Sequence, residues 1–533
     1  MDKSRLPLHG TQRVVTKHRK RIGPLRKHKL VCVTLSLRRK VNPETTLRRF
    51  ARPFKTRYLS VAQAIQRFSH RPKDEAAVRR FAREYDLECK DVQPGLIQLC
   101  GSVAKINRAF DITLSLYTEE RFNAPYHGHD EEPTLPAYLA GVVTGVFGLD
   151  SHPAGRRRGI TEKMIANVIS PPPVTVRTRR PSEFADLYGF PPGTTGRGQS
   201  IGLLEFGGGI RSHSLKSYFA SVVIPLPRIV MRQIPPGANR PRGKRGTLNP
   251  DTEVYLDIEV AGSLARDAAI VVYFGENTEQ GWLRTLQAAI LDERHDLSVI
   301  SISWGQAEQN WSVSALKELD RLFQMAAHRG ITLCCSSGDN GVREEPSQPF
   351  SVVFPATSPH VLACGGTQLE VNRSGNRKET VWNQWRQYRL ASGGGFSEVF
   401  TRPSYQKNLK INQQKGRGIP DEAANASSYT GYLIEADNTR MSMGGTSAVA
   451  PLWAALIARL NEALGTKLGL LTPTVYEMTT RKSDALCDIV EGFNGPTRNT
   501  GYQAKRGWDA CTGLGSPRGE SILEWLKLKQ SKR

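Results

Sequence analysis

Four short apolar runs alternate with three helix-like segments between Ser200 and Cys335, and this rhythm constrains the fold more than any other feature of the chain. The runs are Ser200–Phe206, Ala269–Phe274, Leu297–Ser303 and Ile331–Cys335. Between them lie Glu253–Leu264, Gln280–Leu291 and Val313–His328. Strands rich in Val, Ile and Leu on both faces are buried on both faces, and helices of this length supply the crossovers that parallel strands need. Residues 183–533 are therefore expected to form an α/β unit with a parallel central sheet. Sites in such sheets form on loops at the carboxyl ends of strands. Gly338-Asp339-Asn340-Gly341 occupies such a loop, directly after the run ending at Cys335.

With 533 residues the chain has room for roughly two to four domains. Residues 1–29 are basic and read as an irregular arm. From 30 to 150 strand and helix patterns mix: strands at Leu30–Leu37, Leu96–Leu99 and Ile112–Tyr117, helices at Ser60–Phe68, Lys73–Tyr85, Ser102–Phe110 and Leu135–Val143. That mixture predicts a small α+β domain. Residues 151–182 hold Arg156-Arg157-Arg158, Pro171-Pro172-Pro173 and Arg177-Thr178-Arg179-Arg180-Pro181, and read as a linker open to proteolysis.

The formal net charge of +24 is unevenly spread. Residues 1–180 carry 35 Lys and Arg against 16 Asp and Glu; residues 181–533 carry 39 against 34. The basic arm lacks interleaved aromatic residues, which argues for a solvated or docked tail over a nucleic-acid surface. No apolar stretch is long enough to span a bilayer, and the N-terminus carries no apolar core of a secretory signal. The eight cysteines form no CxxC and no zinc spacing, so buried free thiols are expected, with Cys487 and Cys511 the one pair suited to a bridge.

Ser447 lies in Gly444-Gly445-Thr446-Ser447-Ala448-Val449-Ala450-Pro451, just before the apolar run Leu452–Leu460. A small-residue turn opening into a helix can present a nucleophilic hydroxyl among peptide N–H groups. An ordinary helix cap uses the same residue types. None of the four histidines in the α/β unit (His213, His295, His328, His360) lies in a Gly-flanked setting suited to a base. Glu253 and Asp257 are four apart and share a helix face if that segment is helical. Two carboxylates one turn apart tend to share a proton, which raises one pKa and suits a general base working in acid. A solvated acidic face is the competing reading, although Val254, Leu256, Ile258 and Val260 interleave with the acids. Asp339 is either a turn aspartate or a protonated donor to an oxyanion. Near the C-terminus, Asp488 and Asp509 sit on glycine-rich loops whose carbonyls could join them around a hard cation.

Together these segments resemble the sedolisins, the serine-carboxyl peptidases, and most closely their kumamolisin-like branch. The resemblance rests on Leu256–Gly262, Ser301–Gly305, Cys364–Thr367, Gly444–Pro451 and Gly507–Pro517. Tyr58-Leu59-Ser60, Gly101–Ala104 and Gly148-Leu149-Asp150 resemble the family's prodomain. The resemblance implies a subtilisin-like catalytic domain behind a ferredoxin-like α+β prodomain. It implies Ser447 as nucleophile, Glu253 as base, Asp257 as the residue that orients and protonates Glu253, and Asp339 at the oxyanion. Glu205 and Trp304 would extend the hydrogen-bond network. One Ca²⁺ would be held by Asp488 and Asp509 side chains and the carbonyls of Ile489, Lys505 and Gly507, with a lysine at 505 where glycine is common. Val353, where some members carry an acid, gives no sign of a preference for basic P1 residues.

By this resemblance the protein is expected to be an acid-acting endopeptidase made as a zymogen, with residues 30–150 as inhibitory prodomain, 151–182 as a linker cut near Arg177–Pro181, and 183–533 as the peptidase. Its expected partners are polypeptide substrates and its own prodomain. It is expected to be extracellular and monomeric, without a nucleic-acid partner. A histidine-dependent subtilisin-like hydrolase and an inactive binding protein are the competing readings.

Overall fold

A computed structural model describes residues 4–13, 19–44, 54, 57–119, 124–155, 177–243, 250–409, 411, 414–480 and 484–532. The N-terminal unit is built on an antiparallel sheet ordered Glu88–Gln93, Leu96–Ser102, Leu30–Leu37, Val143–Phe147. Helices Pro72–Glu84 and Val103–Phe110 cover one face, where Val78, Phe81, Ile106 and Phe110 join Val33, Leu35, Ile97 and Leu99 in one core. Each helix leads from one of the two central strands to an edge strand, the ferredoxin-like arrangement. Pro72 opens the first helix with Asp74 and Glu75 in its first turn, and the Ser102 hydroxyl caps the second.

Three local expectations are corrected here. The first 29 residues are not irregular throughout: Arg5–Pro7 pairs with Thr134–Pro136, and Lys20–Pro24 with Ser115–Thr118. Their partners lie about a hundred residues away, beyond the reach of any local pattern. Leu135–Val143 is not a helix but the end of a short strand, one 3-10 turn at Ala137–Leu139, and the start of strand Val143–Phe147. Pro136 and consecutive β-branched residues favour extended backbone over helix. The third correction concerns the cysteines. Cys32 and Cys100, directly opposite each other on adjacent strands, form a disulfide, while Cys487 and Cys511 are free thiols. Strand register brought the first pair together, and register is not visible in a single sequence.

The peptidase unit has an eight-stranded sheet. Its order is Arg228–Gln233, Ala269–Phe274, Ser200–Glu205, Val299–Ile302, Thr332–Ser336, Leu362–Val371 and Arg377–Val381, with Glu422–Asn425 also paired to Leu362–Val371. All pairs are parallel except the one made by Arg377–Val381. Helices Pro250–Leu264 and Thr446–Leu464 cover one face with Ile201, Leu203, Ile270 and Val272. Glu279–Ile290 and Val313–His328 cover the other with Leu204, Val271 and Ile300. The alternation read from sequence thus has its cause in a sheet buried on both sides.

The open face of the N-terminal sheet sits on helices Glu279–Ile290 and Val313–His328. Gln280 donates to the Cys32 carbonyl at 3.2 Å and to Thr34 at 2.9 Å, Gln287 donates to the Pro94 carbonyl at 2.7 Å, and His328 donates to the Pro43 carbonyl at 3.0 Å. Arg39 pairs with Glu318, both almost fully buried, and Arg13 pairs with Glu279 at 2.9 Å. Helix Val61–Phe68 sends Ala64 and Phe68 into the peptidase core rather than its own domain's.

Candidate active site

Gly445 has φ 98°, a conformation costly for any residue with a Cβ, and it opens helix Thr446–Leu464. Ser447 falls inside the first helical turn, buried, and is not the capping residue. The N-cap position belongs to Gly445, so the helix-cap reading of Ser447 does not apply.

Asp339 lies three residues beyond strand Thr332–Ser336. Its Oδ1 accepts the Thr446 backbone N–H at 2.8 Å and the Thr446 hydroxyl at 2.7 Å. The Thr446 hydroxyl also accepts the Gly338 N–H at 3.2 Å, and Ala391 N–H donates to the Asp339 carbonyl at 2.8 Å. The Asp339 carboxyl is thereby fixed at the N-terminal turn that carries Ser447.

Helix Pro250–Leu264 buries Glu253, Asp257 and Glu259 along with its apolar residues, which removes the solvated-face reading. It packs lengthwise against helix Thr446–Leu464. Ser303, at the carboxyl end of strand Val299–Ile302, donates its hydroxyl to the Asp257 carboxyl, 2.8 Å from each oxygen, and lies 3.2 Å from the Ser447 carbonyl. The next residue, Trp304, donates its indole N–H to Glu205 Oε2 at 2.9 Å. Burial pushes Glu205 up to about 8; the Trp304 bond opposes the rise and the charge of Glu253 adds to it. Burial, followed by the charge of Glu205, holds Asp257 well above the usual carboxylate range, against the Ser303 hydroxyl. Glu205 and Asp257 thus retain protons above the ordinary carboxylate range, in one buried cluster with the Glu253 carboxyl.

Sequence reasoning included Ser303 in a motif but gave it no role. Its hydroxyl joins the carboxyl cluster to the nucleophile segment, and its place one residue before Trp304 at a strand's carboxyl end was the available signal. Of the histidines, His213 is exposed, His295 pairs with Asp292, His328 is bonded to the Pro43 carbonyl, and His360 pairs with Asp320.

The chain approaches this site from two sides. Gln306, two residues past Trp304, donates to the Ala154 carbonyl at 2.5 Å. On the far side, Arg177 N–H donates to the Tyr429 carbonyl at 2.7 Å, Arg179 N–H to Gly431 at 2.9 Å, and Leu433 N–H to Arg179 at 2.7 Å, a parallel strand on the peptidase unit. Arg179 is buried. The expected cut near Arg177–Pro181 therefore falls on chain already built into the peptidase. Arg156–Arg158 and Pro171–Pro173 lie outside the described residues.

Asp488 Oδ2 accepts the Gly507 N–H at 2.9 Å. Asp509 accepts from Lys505 N–H at 3.1 Å and from Cys511 and Thr512 N–H at 2.9 Å each, and burial pushes its carboxyl up to about 6. Lys505 has no left-handed backbone, so a lysine sits there without strain. Among the described residues no group of three or more His, Cys, Asp or Glu side chains could hold a metal. A cation here would draw much of its shell from backbone carbonyls, a donor set of two carboxylates and neutral oxygens that fits calcium.

A serine in the first turn of a buried helix, a carboxyl bonded to the residue before it and a parallel sheet fit a serine hydrolase of subtilase architecture. Residues 248–503 match the subtilase family, and residues 17–152 match the pro-kumamolisin activation domain. Kumamolisin of Bacillus sp. (strain MN-32) is 39% identical over 468 residues, covering 85% of this chain and 83% of its own. Sedolisin of Pseudomonas sp. (strain 101) is 27% identical over 483 residues, covering 86% and 80%. The solved structure of Pseudomonas sedolisin complexed with two molecules of pseudo-iodotyrostatin superposes with a TM-score of 0.60 at 28% identity, covering 66% of this chain and 99% of that one. The chain belongs to the sedolisin family, in its kumamolisin-like branch, and is a serine-carboxyl peptidase preceded by an activation prodomain.

Proposed function

We propose that the protein is an acid-acting serine endopeptidase with a glutamate base. Ser447 Oγ attacks the substrate carbonyl carbon and its proton passes to Glu253. Asp257, held by Ser303 and kept protonated by burial, keeps its own proton and orients the Glu253 carboxylate by donating a hydrogen bond to it. Asp339 accepts Thr446 on Oδ1, so its acid proton belongs on Oδ2, where it can donate to the oxyanion. Collapse of the tetrahedral intermediate breaks the C–N bond, Glu253 returns the proton to the leaving amine, and water then hydrolyses the acyl-enzyme. Glu205 and Trp304 keep the cluster dry and fixed. The observation that carries this reading is the pair of hydrogen bonds from Thr446 to Asp339, beside a buried carboxyl cluster linked to Ser447. The test is hydrolysis of a protein substrate between pH 3 and 8 by the wild type and by Ser447→Ala, Glu253→Gln and Asp339→Ala. A flat pH profile, or activity surviving Glu253→Gln, refutes it.

The N-terminal unit is the inhibitory prodomain, seated through Arg39–Glu318 and Arg13–Glu279. The maturation cut lies on the N-terminal side of Arg177, because Arg177 and Arg179 are already strand partners of Tyr429 and Gly431. Asp488, Asp509 and the carbonyls of Ile489, Lys505 and Gly507 would hold one Ca²⁺, whose charge would neutralise Asp509 and whose shared ligands would tie the two loops. Polypeptides are the substrates and the enzyme works as a monomer outside the cell. Among the described residues no helix is long and apolar enough to cross a membrane.

A further inference from the structure

Forty-five consecutive residues, 206–250, contain eight lysines and arginines and no aspartate or glutamate. The peptidase unit as a whole is nearly balanced, so this is a local concentration of charge. The stretch leads from the strand carrying Glu205 to the helix carrying Glu253, and part of its backbone forms a wall against Trp304.

The placement is fixed by backbone contacts. A Cβ on Gly207 would meet the Trp304 ring at 3.2 Å, so this backbone lies against the indole. Gly208, at φ 71°, packs so closely on Pro250 that a Cβ would come within 2.5 Å of its carbonyl carbon. Arg240 N–H donates to the Gly208 carbonyl at 3.1 Å, and Arg242 N–H donates to Asp251 Oδ2 at 2.7 Å, two residues before Glu253. Asn239 clamps Ile210 with two further bonds, at 2.7 and 3.1 Å. The backbone of both arginines is therefore pinned to the wall, while both residues are exposed.

The nearby acids are already occupied. Asp251 is buried on the Arg242 N–H, and Asp437 pairs with Arg211 and accepts from the Tyr255 hydroxyl at 3.1 Å. Among the described residues neither Arg240 nor Arg242 makes an ion pair. Lys244 and Arg245 come next in the sequence, outside the described residues.

We infer that Arg240 and Arg242 select substrates with acidic residues close to the scissile bond, from the wall that packs on Trp304. This deepens the peptidase reading and rests on it. The chemistry makes the preference conditional on pH: a substrate glutamate titrates at about 4.3, so the attraction acts above that value and fades below it. Exposed charge pairs are individually weak and screened by salt, so a selectivity of roughly three- to tenfold is expected, not an absolute requirement.

The test uses the full-length chain brought to acid until peptides are cleaved. Paired peptides differ only by Glu or Gln at each position from P5 to P2 and from P2′ to P5′, and kcat/KM is measured at pH 5.5 and pH 3. The Glu peptide should lead at one or more positions at pH 5.5, and the ratio should approach one at pH 3 and in high salt. Arg240→Gln with Arg242→Gln should bring the pH 5.5 ratio to one, and Arg240→Glu with Arg242→Glu should bring it below one. A ratio near one at every position in the wild type, or a Glu preference that survives the double Gln variant, overturns the inference. Failure to cleave either peptide at any pH defeats the peptidase reading itself and this inference with it.

Discussion

Thr446 gives both its backbone N–H and its hydroxyl to a single oxygen of Asp339, at 2.8 and 2.7 Å. In the proposed mechanism the residue before the nucleophile therefore sets the carboxyl that faces the oxyanion. Asp339→Ala should lower kcat by about 10²- to 10³-fold, the usual cost of one oxyanion donor. Thr446→Val keeps the backbone bond and loses the hydroxyl, so its loss should be smaller, with KM nearly unchanged. Steady-state kinetics at the acid optimum separates the two.

In the proposed mechanism Ser447 and Glu253 act on one proton, so their losses should not add. Ser447→Ala and Glu253→Gln should each abolish most catalysis, and the double variant should be no worse than the worse single one. Single-turnover assays on the three variants check this, and full additivity would mean the two residues act independently.

The buried carboxyl cluster makes stability depend on pH in a definite direction. Glu205 titrates near 4.5 when unfolded and near 8 when folded, so between these values the folded chain binds more protons than the unfolded one. Stability then falls as pH rises through that window and is fully present below it. Melting temperature should be higher at pH 4 to 5 than at pH 8, and Glu205→Gln should flatten the slope. Calorimetry across pH 4 to 8 measures both; a slope of the opposite sign would show that other groups dominate.

The prodomain should be tied down by Arg39–Glu318. Burial would raise Glu318, yet Arg39 and Arg321 hold it below its usual range. A carboxyl held low contributes stability above its unfolded pKa and loses it as pH falls through the folded one, so this pair weakens in acid. Removing one partner leaves a buried charge alone, at a cost of about 3–5 kcal/mol. Arg39→Met should therefore release the prodomain at higher pH than wild type, read as earlier maturation on a pH-stepped gel.

Chelation should lower thermal stability without abolishing the fold of the sheet. Asp488→Ala and Asp509→Ala should melt lower than wild type and lose their response to added calcium. Melting curves with EDTA and with excess Ca²⁺ at one fixed pH give the comparison.

Much of the molecule was legible because it depends on local pattern. The runs at Ser200, Ala269, Val299 and Thr332 became adjacent parallel strands, since continuous apolar runs between helices have few other ways to be buried. The helix Val313–His328 has the limits the sequence suggests. Other features depend on which distant segments meet. Strand Lys20–Pro24 exists only against Ser115–Thr118, and the Cys32–Cys100 disulfide only through strand register.

The site divides in the same way. The sequence alone determined the residue types and their order: a serine after paired glycines, two carboxylates one helical turn apart, an aspartate after a strand, and no histidine in a suitable setting. Tertiary structure decided how they are joined. Packing of helix Pro250–Leu264 against Thr446–Leu464 put Asp257 within reach of Ser303 and its link to Ser447, and removed the whole carboxyl cluster from water. Proton affinity comes from that burial and from charges brought close in space, and neither quantity is a property of a residue's place along the chain.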